Sequence, residues 1–114
     1  MGDWRKSPSV AGERMKTLYA VTRTRGPAWD QSKPLRSQDQ WPEHARFMDR
    51  LAADGFVVLG GPVGDSGDVL LAVDAPGEDE INATLGRDPW SRPGILIMRA
   101  IQRWTILLSS GEKV

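Results

Sequence analysis

Two apolar segments separated by a short turn are the feature that most restricts how this chain can fold. The segments "FVVLGGPV" and "DVLLAVD" are rich in β-branched and aliphatic residues, and the "GDSG" between them has the Gly and Asp content of a tight reversal. This pattern predicts an antiparallel hairpin with strands near residues 56–61 and 68–74.

Strand and helix patterns precede the hairpin. "TLYAVTR" (17–23) mixes β-branched, aromatic and aliphatic residues as a strand does, whereas residues 40–54 show the apolar spacing of a helix. Pro42 suits the first turn of this helix, and Asp39 is its expected N-cap. Gly55 stands where a left-handed residue commonly ends a helix.

A second helix and a long last strand follow the hairpin. Asp74 and Pro76 mark the expected start of this helix, and Gly86 marks its end. "ILIMRAIQRWTILL" (95–108) is rich in β-branched residues and is expected to form one bent strand or two. The order β-α-β-β-α-β predicts an α+β, ferredoxin-like fold with a four-stranded antiparallel sheet and two helices on one face.

The predicted strands are apolar on both faces of that sheet. A sheet covered by helices on one side only should alternate apolar and polar residues, yet "VVL", "VLLAV" and "ILIM" do not. Two helices in a short chain cannot cover both faces, so a second copy of the sheet is the expected cover. The prediction is a homodimer packed face to face. The alternative is that short strands look uniformly apolar by chance.

Length and composition limit the functions that the chain can have. Its 114 residues suit one domain, expected at 17–110, between a flexible leader at 1–16 and a tail at 111–114. Lys and Arg number 15, as do Asp and Glu, so the zero net charge argues against a nucleic-acid partner. No apolar run suggests membrane insertion or secretion, which predicts a cytoplasmic protein without a membrane partner.

Cysteine is absent, and His44 is the only histidine. The chain therefore lacks a thiolate nucleophile, disulfides and an ordinary Cys- or His-rich metal site, and we expect no cofactor. Imidazole suits general acid-base chemistry near neutral pH. His44 lies one turn before Phe47 and Met48, so its side chain should sit at the rim of the core. The plainer interpretation is a structural hydrogen bond at a helix start.

Asp88 is expected to lie in a turn after the second helix. It follows the helix stop at Gly86 and precedes Pro89, which favours extended backbone, and Trp90 stands close to it. An Asp-Pro turn is most often only a turn. A catalytic role requires Asp88 to approach His44 in space and to hold one ring nitrogen while the other faces a substrate.

Three motifs, taken in order, resemble one family. "HARFMDRLAADGFVVLGGPV", "DVLLAVDAP" and "GRDPWSRPGIL" are similar to the YciI-like (YCII-related) family, with its helical His, its Gly-Pro at a strand end and its Asp-Pro-aromatic motif. The resemblance covers about residues 18–108 and implies a dimeric α+β barrel with a ferredoxin-like protomer. It also implies that His44 and Asp88 form the family's proposed catalytic pair. The reaction stays open, because most members have no assigned substrate and some related domains accompany transcription factors.

Other residues are candidates for binding a ligand near this pair. Residues 24–39 form a long predicted loop, which favours a lid or a binding loop. The candidates are Arg23, Arg25 and Arg36 for a carboxylate, Trp29, Trp41 and Trp90 for a planar molecule, and Gly61 and Pro62 where the backbone can be approached. Each also has a plainer interpretation, as surface charge, as a core or interface aromatic, or as a strand terminator.

These observations predict a small cofactor-independent enzyme that binds a compact aromatic or anionic organic molecule. His44 would move a proton while Asp88 orients and charge-balances the imidazole, which is chemistry that suits an isomerase or a lyase. Two alternatives stay open. The same pocket can belong to a non-catalytic ligand-binding or accessory protein, or His44 and Asp88 can be a buried structural pair.

Overall fold

The computed structural model describes residues 16–110 of the chain. The predicted tail at 111–114 and the predicted leader, except for its last residue, lie outside this range. The strands and helices are β1 Lys16–Arg25, α1 Trp41–Ala53, β2 Val57–Pro62, β3 Val69–Val73, α2 Glu78–Leu85 and β4 Leu96–Ile106. A one-turn 3-10 helix, Leu35–Ser37, precedes α1. Among the helices of the described range, none has the length and apolar character needed to span a membrane.

The four strands form one antiparallel sheet in the order β2-β3-β1-β4. Because β1 lies between β3 and β4, it is a central strand and is paired along both edges. The chain is therefore an α+β protein whose four-stranded antiparallel sheet and two helices are compatible with a ferredoxin-like fold. The pairing of β1 with β4 shifts register between Thr22 and Arg23, which marks a bulge at that point.

Both helices pack on the same face of the sheet. Tyr19 and Val21 of β1 pair with Val73 and Leu71 of β3, so these alternate residues point to one side. The buried cluster on that side takes side chains from both helices and three strands: Tyr19, Val21, Leu51, Val57, Leu71, Val73, Ile81 and Leu85. Arg23 continues the same alternation along β1 and therefore also points toward the helices.

The opposite face of the sheet keeps large apolar side chains exposed. The strand pairing places Leu59, Ile97 and Trp104 on this face, and 66%, 41% and 42% of their surfaces are exposed. Because α1 and α2 both pack on the other side, neither covers these side chains. The prediction that the strands are apolar on both faces therefore agrees with the sheet.

Two predicted element boundaries differ from the structure, and the structure decides between the two alternatives for the last segment. β1 continues through Arg25, so the connection to α1 begins at Gly26 rather than at residue 24. The last apolar segment forms one strand, β4. α2 begins at Glu78, later than expected, because the amide of Asp74 still bonds to the carbonyl of Phe56 at 2.8 Å and keeps that segment extended beside β2.

The predicted cap of α1 at Asp39 is wrong. Gln40 is the N-cap residue, and no side chain caps the helix. The carbonyl of Asp39 instead accepts a hydrogen bond from the Trp90 indole at 2.6 Å. Within residues 16–110, Gln40 is the one residue other than glycine with a left-handed backbone, at φ 60°. Such a conformation costs on the order of 1–3 kcal/mol, so the surrounding contacts must hold it in place.

The connection from β1 to α1 is ordered by one buried side chain, that of Gln38. Its amide nitrogen donates to the carbonyls of Asp30 and Lys33 at 2.7 and 2.9 Å, and its amide oxygen accepts from the backbone amide of Asp30 at 2.9 Å. These three hydrogen bonds close the loop on itself, so it has a defined shape from Gly26 to Gln40.

Candidate functional site

The fold brings the side chains of His44 and Asp88 into contact, although 44 residues separate them in sequence. His44 lies in the first turn of α1, and Asp88 lies in the turn that follows α2. Nδ1 of His44 is 2.8 Å from Oδ1 of Asp88 and 2.9 Å from Oδ2. This is the contact that an orienting carboxylate must make with an imidazole.

Asp88 is buried and accepts hydrogen bonds from two further groups. Only 1% of its surface is exposed. Nη1 of Arg23 donates to Oδ2 at 2.7 Å, and the backbone amide of Trp90 donates to Oδ1 at 2.9 Å. The bond from an amide two residues later is a common turn feature of aspartate and fixes the direction of the carboxylate.

Arg23 holds Asp88 from the sheet side. It is 2% exposed, and its second terminal nitrogen, Nη2, donates to the Ser91 hydroxyl at 2.8 Å. That hydroxyl donates in turn to the carbonyl of Leu85 at 2.6 Å. Arg23 borders the cavity beside His44, but each of its terminal nitrogens already has a protein partner. Its contacts are those of a positioning residue, which differs from the ligand contact predicted from the sequence.

The carboxyl group of Asp88 is ionised in the folded protein. Burial on its own would raise its pKa, but hydrogen bonds from His44, the Trp90 amide and Arg23, together with the Arg23 charge, hold the pKa below the usual value. An ionised carboxylate accepts hydrogen bonds and donates none. Nδ1 of His44 must therefore carry the proton of the bond to Asp88.

The other ring nitrogen of His44 is left for a ligand. With the proton on Nδ1, Nε2 of the neutral ring has a free lone pair. Within residues 16–110 every fully buried side-chain nitrogen or oxygen has a hydrogen-bond partner, whereas Nε2 has none, so Nε2 is not fully buried. Since His44 borders the cavity and Nδ1 is turned to Asp88, we infer that the exposed Nε2 faces the cavity.

Trp90 supports the flat side of the imidazole. The two ring centroids are 3.9 Å apart, and the planes differ by 4°. An indole face attracts a cation, so this stacking favours the ring further once it is protonated. The Trp90 indole nitrogen also holds the carbonyl of Asp39, just before α1 begins. A proton taken up by His44 is therefore balanced by Asp88 at the ring edge and by Trp90 at the ring face.

A cavity of about 670 Å³ lies beside His44. Trp29 meets Trp90 edge to face at 5.8 Å between centroids, and Trp41 is tilted against Trp90 at 5.7 Å, so three neighbouring indoles contribute to the wall. Volumes of roughly 300–1,000 Å³ with a mainly apolar lining are typical of small-molecule sites. The cavity is therefore large enough for a ligand in contact with Nε2.

Most of the predicted ligand residues border this cavity. They are Arg23, Arg25, Trp29, Trp41, Gly61, Pro62 and Trp90. Arg36 does not border it, and its guanidinium carbon lies 5.9 Å from the centroid of the Trp41 ring. A Cβ built on Gly61 would meet nothing within 4 Å, so His44 does not pack against this glycine.

The charges of the site suit the transfer of one proton. Arg23 and Asp88 neutralise each other, so uptake of a proton by His44 gives these three bonded side chains one net positive charge. Such a charge stabilises an anionic intermediate formed nearby. Within residues 16–110, no cluster of three or more His, Cys, Asp or Glu side chains is placed to hold a metal ion.

Sequence reasoning missed Ser91 and the true partner of Arg23. The spacing of Ser91 does not distinguish it from any serine in a turn. The position of Arg23 could have indicated its partner. Arg23 lies two residues after Val21 on β1, so both side chains point to the core face, and a buried guanidinium there needs a carboxylate. Asp88 is the carboxylate that the fold supplies.

Replacement of Arg23 by Met should lower the free energy of unfolding by about 3–5 kcal/mol, because Asp88 then stays buried without its main countercharge. Arg25→Met is the matched control: this arginine lies two residues further along β1, is exposed, and stacks on Trp29. Loss of that contact should cost about 1 kcal/mol or less. Urea unfolding followed by circular dichroism measures both values, and equal losses would contradict the role given to Arg23.

Asp88→Asn should remove a pH dependence of stability. Folding lowers the pKa of Asp88 from 3.8, so its ionised form contributes stability that is present above the unfolded pKa and is lost as pH falls through the folded pKa. The stability difference between wild type and Asp88→Asn should therefore be largest above about pH 5 and shrink toward about pH 3. Urea unfolding at both pH values measures it. A difference that grows in acid would contradict the lowered pKa.

Comparisons with known proteins identify no relative of this chain. No protein-family model, no curated protein and no solved structure matches it. The resemblance to the YciI-like family therefore stays a prediction that rests on three short motifs, and the function has to be argued from the site itself.

Proposed function

We propose that the protein is a small enzyme in which His44 acts first as general base and then as general acid. The observation that supports this most directly is the state of one imidazole: buried Asp88 holds Nδ1, and Nε2 opens into a cavity of ligand size. Nε2 would take a proton from a carbon next to an activating group such as a carbonyl. The imidazolium would return that proton at another position or deliver it to a leaving group, as in an isomerase or a lyase.

Each neighbour of His44 has a distinct part in this scheme. Asp88 keeps the proton on Nδ1 and balances the imidazolium, and Arg23 keeps Asp88 ionised and correctly turned. Trp90 fixes the plane of the ring. Proton transfer by such a positioned group contributes roughly 10²–10⁴-fold to a rate. The family resemblance favours the same pair of residues.

A non-catalytic ligand-binding or accessory protein is the second candidate function. The observation that favours it is the cavity lining, in which side chains without any hydrogen-bonding group are more frequent than side chains that can donate a hydrogen bond. Hydrogen-bond donors that point at the charge developing in the transition state usually make the largest single contribution to catalysis. A site with few of them can bind a metabolite without transforming it.

We also propose that two copies of the chain pack through the exposed face of the sheet. Leu59 on one edge strand and Ile97 and Trp104 on the other are large apolar side chains exposed on this face, and exposed apolar surface of this size commonly marks an interface. Light scattering should give twice the chain mass for wild type and the single chain mass for Leu59→Lys. Leu35→Lys, which changes an exposed apolar side chain of the 3-10 helix outside the sheet, should leave the dimer intact. A monomeric wild type would contradict the interface.

Proton transfer can be detected without knowledge of the natural substrate. A panel of small carbonyl compounds with acidic C–H bonds, including phenylpyruvate and cyclic 1,3-diketones, is incubated with the protein in D₂O. Loss of the C–H signal is followed by proton NMR. Wild type should accelerate exchange in at least one compound, and His44→Ala should slow that exchange by roughly 10²–10⁴-fold. Asp88→Asn should also slow it, whereas Arg36→Gln, outside the cavity, should not.

The outcomes separate the three interpretations of the His44–Asp88 pair. If no compound exchanges faster with wild type than with His44→Ala, the catalytic proposal fails. If ligands bind but none exchanges, the protein is a binding module. If His44→Ala and Asp88→Asn mainly lower the melting temperature and no compound exchanges or binds, the pair is structural.

A further inference from the structure

The cavity beside His44 contains one arginine whose charge the protein leaves available. Arg25 lies at the end of β1, is exposed, and borders the cavity. Within residues 16–110, no carboxylate forms an ion pair with it, in contrast to Arg23, which is bonded to Asp88. The two arginines lie on the same side of the same strand and therefore have different electrostatic surroundings.

Arg25 lies over the Trp29 indole, and within residues 16–110 no hydrogen bond to its guanidinium is present. Its guanidinium carbon lies 4.6 Å from the centroid of the Trp29 ring. Stacking of this kind uses the face of the guanidinium and leaves the in-plane N–H donors free. Gly67 of the β2–β3 turn gives the side chain room, since a Cβ there would lie 2.9 Å from Cδ and 3.0 Å from Nε of Arg25. The guanidinium of Arg25 therefore lies between Trp29 and Gly67 with N–H donors that a ligand can use.

Among the residues that line the cavity, no cation other than Arg25 is free to bind an anionic ligand. Arg23 is already paired with Asp88. Asp68 forms an ion pair with Arg99. The two further carboxylates that border the cavity, Asp49 and Asp65, are exposed to solvent. Arg25 is therefore the strongest available anchor for an anionic group among the cavity residues.

The apolar side chains that line the cavity favour a ligand with an aromatic ring. Trp29 and Trp41 each contact the buried Trp90, and Leu35 and Met48 also border the cavity. Flat aromatic molecules gain from contact with indole faces and edges, beyond the area that they bury. Because Arg25 stacks on Trp29, the available donors lie directly beside this aromatic wall.

We propose that the cavity binds a small aromatic carboxylate, whose ring lies against the partly exposed indoles of Trp29 and Trp41 and whose carboxylate is held by Arg25. This deepens the proposed function, on which it rests only for the assumption that the ligand cavity is the one beside His44. Arg25 is then the residue that determines specificity for an anion. A fork of N–H donors matches a carboxylate with two parallel hydrogen bonds.

Calorimetric titration with two matched probes tests this proposal. 2-Naphthoate and 2-naphthamide have the same ring and nearly the same shape, but only the first carries a charge. Wild type should bind naphthoate at least about tenfold more tightly than the amide, because hydrogen bonds between charged partners are worth about 1.5–3 kcal/mol. Arg25→Gln should remove that preference while naphthamide affinity stays unchanged.

Arg36→Gln is the matched control. Arg36 also lies over an indole, that of Trp41, but does not border the cavity, so its replacement should keep the preference for naphthoate. Decanoate, an anion without a ring, should bind more weakly than naphthoate. Equal affinity of wild type for naphthoate and the amide would overturn the proposal. So would an equal loss of preference in both arginine variants, or the absence of binding by either naphthalene probe at millimolar concentration.

His44→Ala separates the ligand class from the catalytic proposal. In this variant the preference for naphthoate should persist, because Arg25 and not His44 supplies it. If the preference persists and no carbonyl compound exchanges its protons with wild type, catalysis fails while the ligand class stands. If the preference is absent and exchange still depends on His44, the assignment of the ligand fails while the catalytic role stands.

Discussion

The buried carboxylate of Asp88 is the interaction on which the site depends. It brings together three parts of the chain: Arg23 of the central strand, His44 of the first helix, and the amide of Trp90 in its own turn. A buried charge costs several kcal/mol unless opposite charges and hydrogen bonds compensate it. These donors supply that compensation. The relative placement of sheet, helix and turn is therefore coupled to the ionisation of one side chain.

Trp90 connects this network to the shape of the cavity. One face of its indole stacks on His44, its edge meets Trp29, and its nitrogen holds the carbonyl of Asp39 beside the strained Gln40. The left-handed backbone before the first helix is thus stabilised by the same residue that fixes the imidazole. Strain of this kind persists only where the surroundings determine the conformation fully.

The order of helices and strands could be predicted from local patterns, because apolar periodicity and glycine positions act over a few residues. Gly55 ends the first helix with φ 83°, as its position indicated. The cap at Asp39 was predicted wrongly, because a local rule cannot anticipate that a distant indole binds the carbonyl of that residue. The contact between His44 and Asp88 was expected only from the resemblance to the YciI-like family. The number of residues between two side chains does not tell how close they lie in the folded protein.

The proposed chemistry depends on which nitrogen of His44 carries the proton, and this can be measured directly because the sequence has a single histidine. A long-range ¹H–¹⁵N correlation spectrum of the labelled protein contains the two ring nitrogens of one histidine, at position 44. Free histidine side chains prefer the proton on Nε2, whereas a ring held by an ionised carboxylate at Nδ1 must carry it there. We expect a protonated Nδ1 and an unprotonated Nε2 in the neutral ring. A neutral ring with its proton on Nε2 would contradict this expectation.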